Sequence, residues 1–405
     1  MRRKIMNIAV AQSGGPTAAI NASLAGVFKQ ALNCPQIEKI YGSRNGIEGV
    51  ISDNLVYMNE VLSIQKNLEI LRVTPSTALG SCRYKLPEVN SGNDVYEKIT
   101  ACFKKHDIGA FFYIGGNDSM DTAAKLSDYF KTNNIDIKVI GVPKTIDNDL
   151  PGTDHTPGFG SAAKYVAATL SEIICDSSVY ALESVTIVEI MGRNAGWLTA
   201  SSCVLRAAGE TAPHLIYLPE SKFTAQQFID DIRQQQKTHK AVIIAVSEGV
   251  ELGDENCLRN DSLDVFGHKQ LSGIGKTLEQ LVRREIGCKV RSIELNVMQR
   301  CSAHICSKTD ITEAESIGAE AVNAAVAGNS GVMMTFVRKS SSPYEVEISF
   351  TDAHNIANQV QFFPEKWINP AGNNVSDEAI EYFLPLIQGE IFVPMEKGLP
   401  VHFKF

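Results

Sequence analysis

The sequence predicts an α/β protein built on mainly parallel sheets flanked by helices. Short, uniformly apolar runs alternate with longer amphipathic stretches, the pattern of strands and helices in a parallel sheet covered on both faces. Polar, glycine-rich segments fall at the carboxyl ends of those runs, where open parallel sheets bind ligands. At 405 residues the chain is too long for one simple core and long enough for two domains.

In order, residues 5–11 read as a buried strand and 17–31 as a helix. Residues 108–114 give a second strand, 118–130 a helix and 137–142 a third strand. A turn-rich segment follows, then a helix from 158 to about 175. Residues 185–190, 214–218 and 241–246 are further strands, each followed by a helical pattern. The expected organisation is a first α/β unit over 1–157, a second over 158–330, and a C-terminal segment, 331–405, that completes the fold as the chain crosses between the units. Within that segment, 331–337 and 344–350 suit a strand pair.

The bulk charge excludes some functions. A net charge of −8 argues against a nucleic-acid partner, which needs a basic face. It still permits phosphate ligands, because a local cluster of arginines and backbone N–H groups can override the global sign. The nine cysteines are scattered, odd in number and without a Cys-x-x-Cys pair, which suits free thiols in a reducing compartment. No run approaches the ~20 apolar residues of a membrane span, and the first residues lack a signal-peptide core. A cytoplasmic protein without a membrane partner is expected. The histidines show no metal-site or triad spacing.

Five segments carry chemistry. Ser13-Gly14-Gly15-Pro16-Thr17 ends the first strand and opens a helix, and Gly115-Gly116-Asn117-Asp118-Ser119 repeats the arrangement. Paired glycines admit close backbone approach, and helix N-termini favour anions. Each turn is also a sound strand–helix connection with no ligand, and Asp118 suits a cap. The third strand runs into Pro143-Lys144-Thr145-Ile146-Asp147-Asn148-Asp149, which places one lysine and two aspartates in one loop. Transfer of a phosphoryl group to a hydroxyl needs a carboxylate beside the attacking oxygen and cations around the transferring group, and this loop supplies both. Met191-Gly192-Arg193-Asn194 offers close approach and a bidentate guanidinium. Ser247-Glu248-Gly249 could bond sugar hydroxyls, and Arg291 and Arg300 are further phosphate clamps.

In this order and spacing the set resembles the phosphofructokinase family over residues 5–330. The resemblance implies two similar domains with the active site in the cleft between them. It also implies Mg²⁺-assisted transfer to the 1-hydroxyl of fructose 6-phosphate, giving fructose 1,6-bisphosphate. Asp147 then matches the base, with Lys144, Asp118 and Arg193 as its catalytic companions. Gly14, Gly15, Arg83, Gly116, Asp118 and Lys144 match the donor side. Thr145, Ile146, Asp147, Met191, Gly192, Arg193, Glu248, Arg291 and Arg300 match the sugar-phosphate side. Arg291 in family oligomers reaches in from a neighbouring subunit, so a homo-oligomer, dimer or tetramer, is expected. Asn117 and Asp149 match the metal position, although Asn117 stands where an aspartate is common and is a poorer partner for a hard cation. Ser184 stands where ATP-using members place a substrate-binding arginine, and Ala25 at an arginine of their nucleotide effector site.

Two positions bear on the donor. ATP-using members carry glycine at positions 118 and 144, whereas the pyrophosphate-using branch resembles this chain at both. A carboxylate about 4 Å from the α-phosphate of ATP would cost about 4 kcal/mol at an effective dielectric of 20. Pyrophosphate is therefore the expected donor. The alternatives are an ATP-dependent sugar-phosphate kinase, a non-catalytic regulatory subunit, and a pyrophosphate or polyphosphate sensor.

Overall fold

The computed structural model describes residues 6–89, 92–253 and 273–405, together with two short paired strands between the last two spans. In chain order the strands are β1 (Met6–Gln12), β2 (Ile37–Ser43), β3 (Leu55–Tyr57), β4 (Ile108–Gly115), β5 (Lys138–Pro143), β6 (Ser184–Ile190), β7 (Leu215–Tyr217) and β8 (Ala241–Ser247). The short pair β9 (Ser262–Leu263) and β10 (Lys269–Gln270) precedes β11 (Lys289–Glu294), β12 (Val332–Ser341) and β13 (Tyr344–Asp352).

Two α/β units result. The first holds a seven-stranded sheet in the order β13-β12-β5-β4-β1-β2-β3, parallel except for its edge strands β3 and β13. The second holds a four-stranded parallel sheet in the order β11-β6-β8-β7. Alternation along β1 sends Ile8 and Val10 to one face and Ala9 and Ala11 to the other, and both faces are buried. Ile8 and Val10 pack under the helix Ile20–Leu32, while Ala9 joins Phe103, Phe111 and Phe130 on the opposite side. Both faces are apolar, so the strands read as continuous runs rather than alternating ones. β2 escaped that reading because Glu38 and Lys39 interrupt its apolar pattern.

Register sets where the polar segments emerge. Gly115 pairs with Pro143, so the Gly116 turn and Lys144 leave the sheet side by side. In the second sheet Ile190 pairs with Ser247, and Met191 and Glu248 emerge together.

After β11 of the second sheet, the chain adds β12 and β13 to the first. The strand pair expected over 331–350 is present and extends the first sheet beside β5. The helix Lys308–Val326, grouped with the second unit on sequence, packs instead along the Ile20 helix in the first unit's core. Its apolar face and a pair of glycines, one on each helix, explain this. A Cβ on Gly26 would stand 1.9 Å from the Glu315 carbonyl oxygen, and one on Gly318 would stand 2.2 Å from that of Ser23. The two backbones touch, and no side chain larger than hydrogen fits. Near its start the Lys308 helix carries Asp310, whose carboxylate accepts from the Gly158 and Ser161 N–H groups at 2.8 and 3.0 Å. That residue thereby caps the helix Phe159–Ser178 from outside.

Gly318→Ala is expected to destabilise the fold by about 1–3 kcal/mol through overpacking against Ser23, read from denaturant or thermal unfolding. An unchanged midpoint would show that the two helix backbones are not in contact.

Candidate active site

A cavity of about 350 Å³ lies where the carboxyl ends of both sheets face one another. Ser13, Gly14 and Gly15 line it from β1, Gly116 to Ser119 from β4, and Lys144 to Asp147 with Asp149 from β5. Met191, Arg193 and Asn194 follow β6, Glu248 follows β8, and Arg83 and Arg300 also line it.

The first turn is held by its neighbours. Gly14 has a φ of 74°, in the left-handed region that favours glycine. Its N–H donates to the Cys82 carbonyl at 3.1 Å, and the Ser81 hydroxyl donates to the Gly14 carbonyl at 2.7 Å. Ser13 Oγ lies 2.5 Å from Ser119 Oγ and joins the two glycine turns. Arg300 leans over Gly15, its guanidinium 3.3 Å from where a Cβ would stand.

Lys144 is only 2% exposed, yet it carries an ammonium group. It donates to the Gly15 carbonyl at 2.6 Å. Burial pushes its pKa down to about 7, Arg300 and Arg83 push the same way, and Asp147 opposes them. Asp147 is pushed upward by burial, against the pull of Lys144, Arg193 and Arg300. Its N–H donates to Thr145 Oγ1 at 3.1 Å, which folds the loop back on itself. Asp149 is pushed up to about 7 by burial and by the neighbouring Asp147 charge. Glu248 also stands at about 7, raised by burial and held by the Gly192 N–H at 3.4 Å. Gly192 has no room for a side chain, since a Cβ would meet the Ala195 carbonyl at 2.8 Å.

Three candidates have partners in the structure that the sequence did not suggest. The Asn117 amide donates to the Gln359 carbonyl and accepts from the Asn358 N–H at 2.5 Å. It fastens the helix Asn117–Thr132 to the C-terminal segment, so its side chain is already engaged. Asp118 lines the cavity but pairs with Lys85 at 3.0 Å, a partner the sequence did not suggest. Arg291 lies outside the cavity on the sheet-edge strand β11, 3.6 Å from Asp176, in a small hollow with Ser184, Tyr180 and Lys289.

Tyr84 and Tyr113 also line the cavity and were not anticipated. Tyr113 belongs to an apolar strand, where nothing in the local pattern marks it as different from its neighbours. Elsewhere, among the described residues, Asp53, Cys102 and His106 cluster as potential metal ligands, but the carboxylate already pairs with Lys105 and His106.

Comparison with known proteins gives concordant results. The family model described as Phosphofructokinase matches residues 7–325. The pyrophosphate–fructose 6-phosphate 1-phosphotransferase of Halomonas elongata is 37% identical over 398 residues, covering 97% of this chain and 94% of that one. The enzyme of the same name from Xanthomonas campestris pv. campestris is 38% identical over 388 residues, covering 95% and 92%. The crystal structure of a pyrophosphate-dependent phosphofructokinase from Nitrosospira multiformis superposes with a TM-score of 0.87 at 37% identity, covering 97% of this chain and 95% of that one.

Reductive methylation with ¹³C-formaldehyde would let Lys144 be titrated by NMR. Its dimethyl resonance is expected to titrate near 7. A midpoint close to that of surface lysines, about 10, would show that the ammonium is not desolvated.

Proposed function

We propose, since the chain belongs to the phosphofructokinase family, that it transfers a phosphoryl group from pyrophosphate to the 1-hydroxyl of fructose 6-phosphate. The products are fructose 1,6-bisphosphate and phosphate, and the reaction runs in either direction within cytoplasmic glycolysis or its reversal. The observation that carries this reading is the buried Lys144 ammonium on the Gly15 carbonyl, set in the same loop as Asp147.

In this reading Asp147 takes the proton of the sugar hydroxyl. Burial raises its basicity above that of a solvated carboxylate, which suits a general base near neutral pH. Lys144, Arg83, Arg193 and Arg300 supply positive charge around the phosphates in a partly desolvated site, where fixed charges act most strongly. Glu248 and the Met191–Gly192 backbone face the sugar side. The carboxylates of Asp147 and Asp149 fit a divalent cation, because both line the cavity from one loop and each has its pKa raised chiefly by desolvation. Mg²⁺ held there would neutralise charge on the pyrophosphate. Asn117 is engaged elsewhere, which leaves Asp149 as the stronger of the two expected ligands.

The Lys85–Asp118 pair changes the reason for excluding ATP. Lys85 offsets part of the like-charge penalty expected from an isolated Asp118. Discrimination then rests on the space this pair and Lys144 occupy beside the glycine turns, together with the remaining charge. Assaying the purified chain with fructose 6-phosphate, Mg²⁺ and either pyrophosphate or ATP tests the donor directly, and turnover with ATP alone would overturn the assignment. Asp118→Gly combined with Lys144→Gly is expected to admit ATP and impair pyrophosphate use. Full retention of pyrophosphate activity by that double variant would sink the donor role of both residues.

Arg291 supports a shared active site. It sits on an edge strand beside Tyr180 and Leu182, which are 51% and 65% exposed. A second copy covering that face would receive Arg291 at its sugar-phosphate site. Asp147→Asn and Arg291→Ala, each impaired alone, should then complement when co-expressed. Random pairing in a dimer places one intact site in half of the molecules, restoring about a quarter of parental activity. No recovery in a verified mixed oligomer would show that each chain forms its site alone.

A further inference from the structure

Asn148 follows Asp147 directly and is buried at a φ of 55°. Asparagine tolerates this left-handed conformation, and so would glycine. The side chain therefore has a task beyond the backbone turn. Its carbonyl oxygen accepts from the Thr156 N–H at 3.0 Å, and its amide donates to the Tyr382 hydroxyl at 2.9 Å. The Tyr382 hydroxyl in turn donates to the Asp154 carbonyl at 2.6 Å. One tyrosine thus ties together both ends of the segment that runs from Asp147 toward the Phe159 helix.

A closed polar network stands behind that tyrosine. The Asp154 carboxylate receives Arg338 at 2.8 and 3.0 Å and the His155 ring at 2.8 Å. The other ring nitrogen of His155 meets Glu313 at 2.8 Å, and Glu313 also accepts from the Tyr344 hydroxyl at 2.7 Å. Arg338 lies 4.5 Å from the Tyr382 ring and donates to the Tyr382 carbonyl at 3.0 Å. Phe336 stacks on His155 at 4.5 Å. The flanking carboxylates outweigh burial and hold His155 protonated, with its pKa raised to about 9. Two carboxylates, one guanidinium and one imidazolium balance each other. None of these groups lines the cavity.

Buried charges are costly unless every one is matched, and a matched set fixes geometry closely. Here the fixed geometry ends on the residue next to Asp147. We propose that Asn148 and Tyr382 are positioning residues for Asp147, forming a latch that the Asp154–His155–Glu313–Arg338 network holds in place. This rests on the reading of Asp147 as the base. A carboxylate displaced by about 1 Å from its proton donor can lose about a hundredfold in rate without any change in binding.

Tyr382→Phe keeps the ring against Arg338 and deletes only the hydroxyl. Asn148→Gly keeps the positive φ and deletes only the amide. In the full chain, assayed with fructose 6-phosphate, pyrophosphate and Mg²⁺, each should lower kcat about tenfold or more while both KM values stay within about twofold. Because the two groups form one latch, the double variant should be no slower than the slower single variant. If Asn148→Gly does not fold, Asn148→Asp replaces it, keeping the acceptor for Thr156 and losing the donor to Tyr382. Folded variants with kcat within about twofold of the parent, or with multiplying losses, would overturn the latch. Asp147→Asn measured alongside separates the two readings, because retained turnover there would remove the base itself rather than its positioning.

Discussion

The Lys144 ammonium, shut away from water and bonded to the Gly15 carbonyl at 2.6 Å, is the interaction on which the site's architecture rests. It spans the carboxyl ends of two strands that are not neighbours in the sheet, β1 and β5, with β4 between them. A buried ammonium needs a compensating charge, and Asp147 supplies it from the same loop. The nearby arginines Arg83 and Arg300 work against it and push its pKa down. Lys144, Arg83 and Arg300 therefore concentrate positive charge in one part of the cavity, which suits a polyanion. This local excess sits in a chain whose net charge is −8.

The second sheet must face the first for this charge to act on a sugar. The C-terminal segment supplies the tie. Its backbone is grasped by Asn117 at the β4 end, by the Asp149 carbonyl at the β5 end at 2.8 Å, and by the Trp197 indole of the second unit at 2.8 Å. The Phe363 N–H then meets Glu220, also of the second unit, at 2.8 Å. A single stretch of chain is thus bonded to both halves. This explains why a chain whose first sheet needs β12 and β13 continues beyond them. The final residues return to the first unit, where the Phe403 N–H donates to Thr74.

The strands were legible in the sequence because both of their faces are buried, which leaves an unbroken apolar run that no surface strand or amphipathic helix imitates. The glycine turns were legible because backbone conformation and close approach restrict those positions to one residue type, as at Gly14 and Gly192. Pairing across long stretches of chain was not legible. Asn117 looked like a displaced metal ligand because its partners, Asn358 and Gln359, lie far along the chain. Asp118 looked like an isolated charge because nothing in the glycine turn points to Lys85. The Lys308 helix was grouped by order along the chain, whereas its position follows from hydrogen-sized side chains at Gly26 and Gly318. In each case the local sequence carries no sign of a partner far along the chain.

The carboxylates give the complementary half of the site's electrostatics. Asp147, Asp149 and Glu248 are all raised above the usual range, chiefly by burial. Asp149 is further raised by Asp147, and Glu248 by the same group, so the three titrate as neighbours rather than singly. A polyanion arriving at Lys144 would raise them further, and a protonated Asp147 cannot accept a proton. One feature opposes that outcome: Lys144, Arg193 and Arg300 each favour the ionised form of Asp147. The arrangement therefore reconciles two demands within one cavity. Lys144 and Asp147 meet both demands from a single loop, three residues apart at the end of β5.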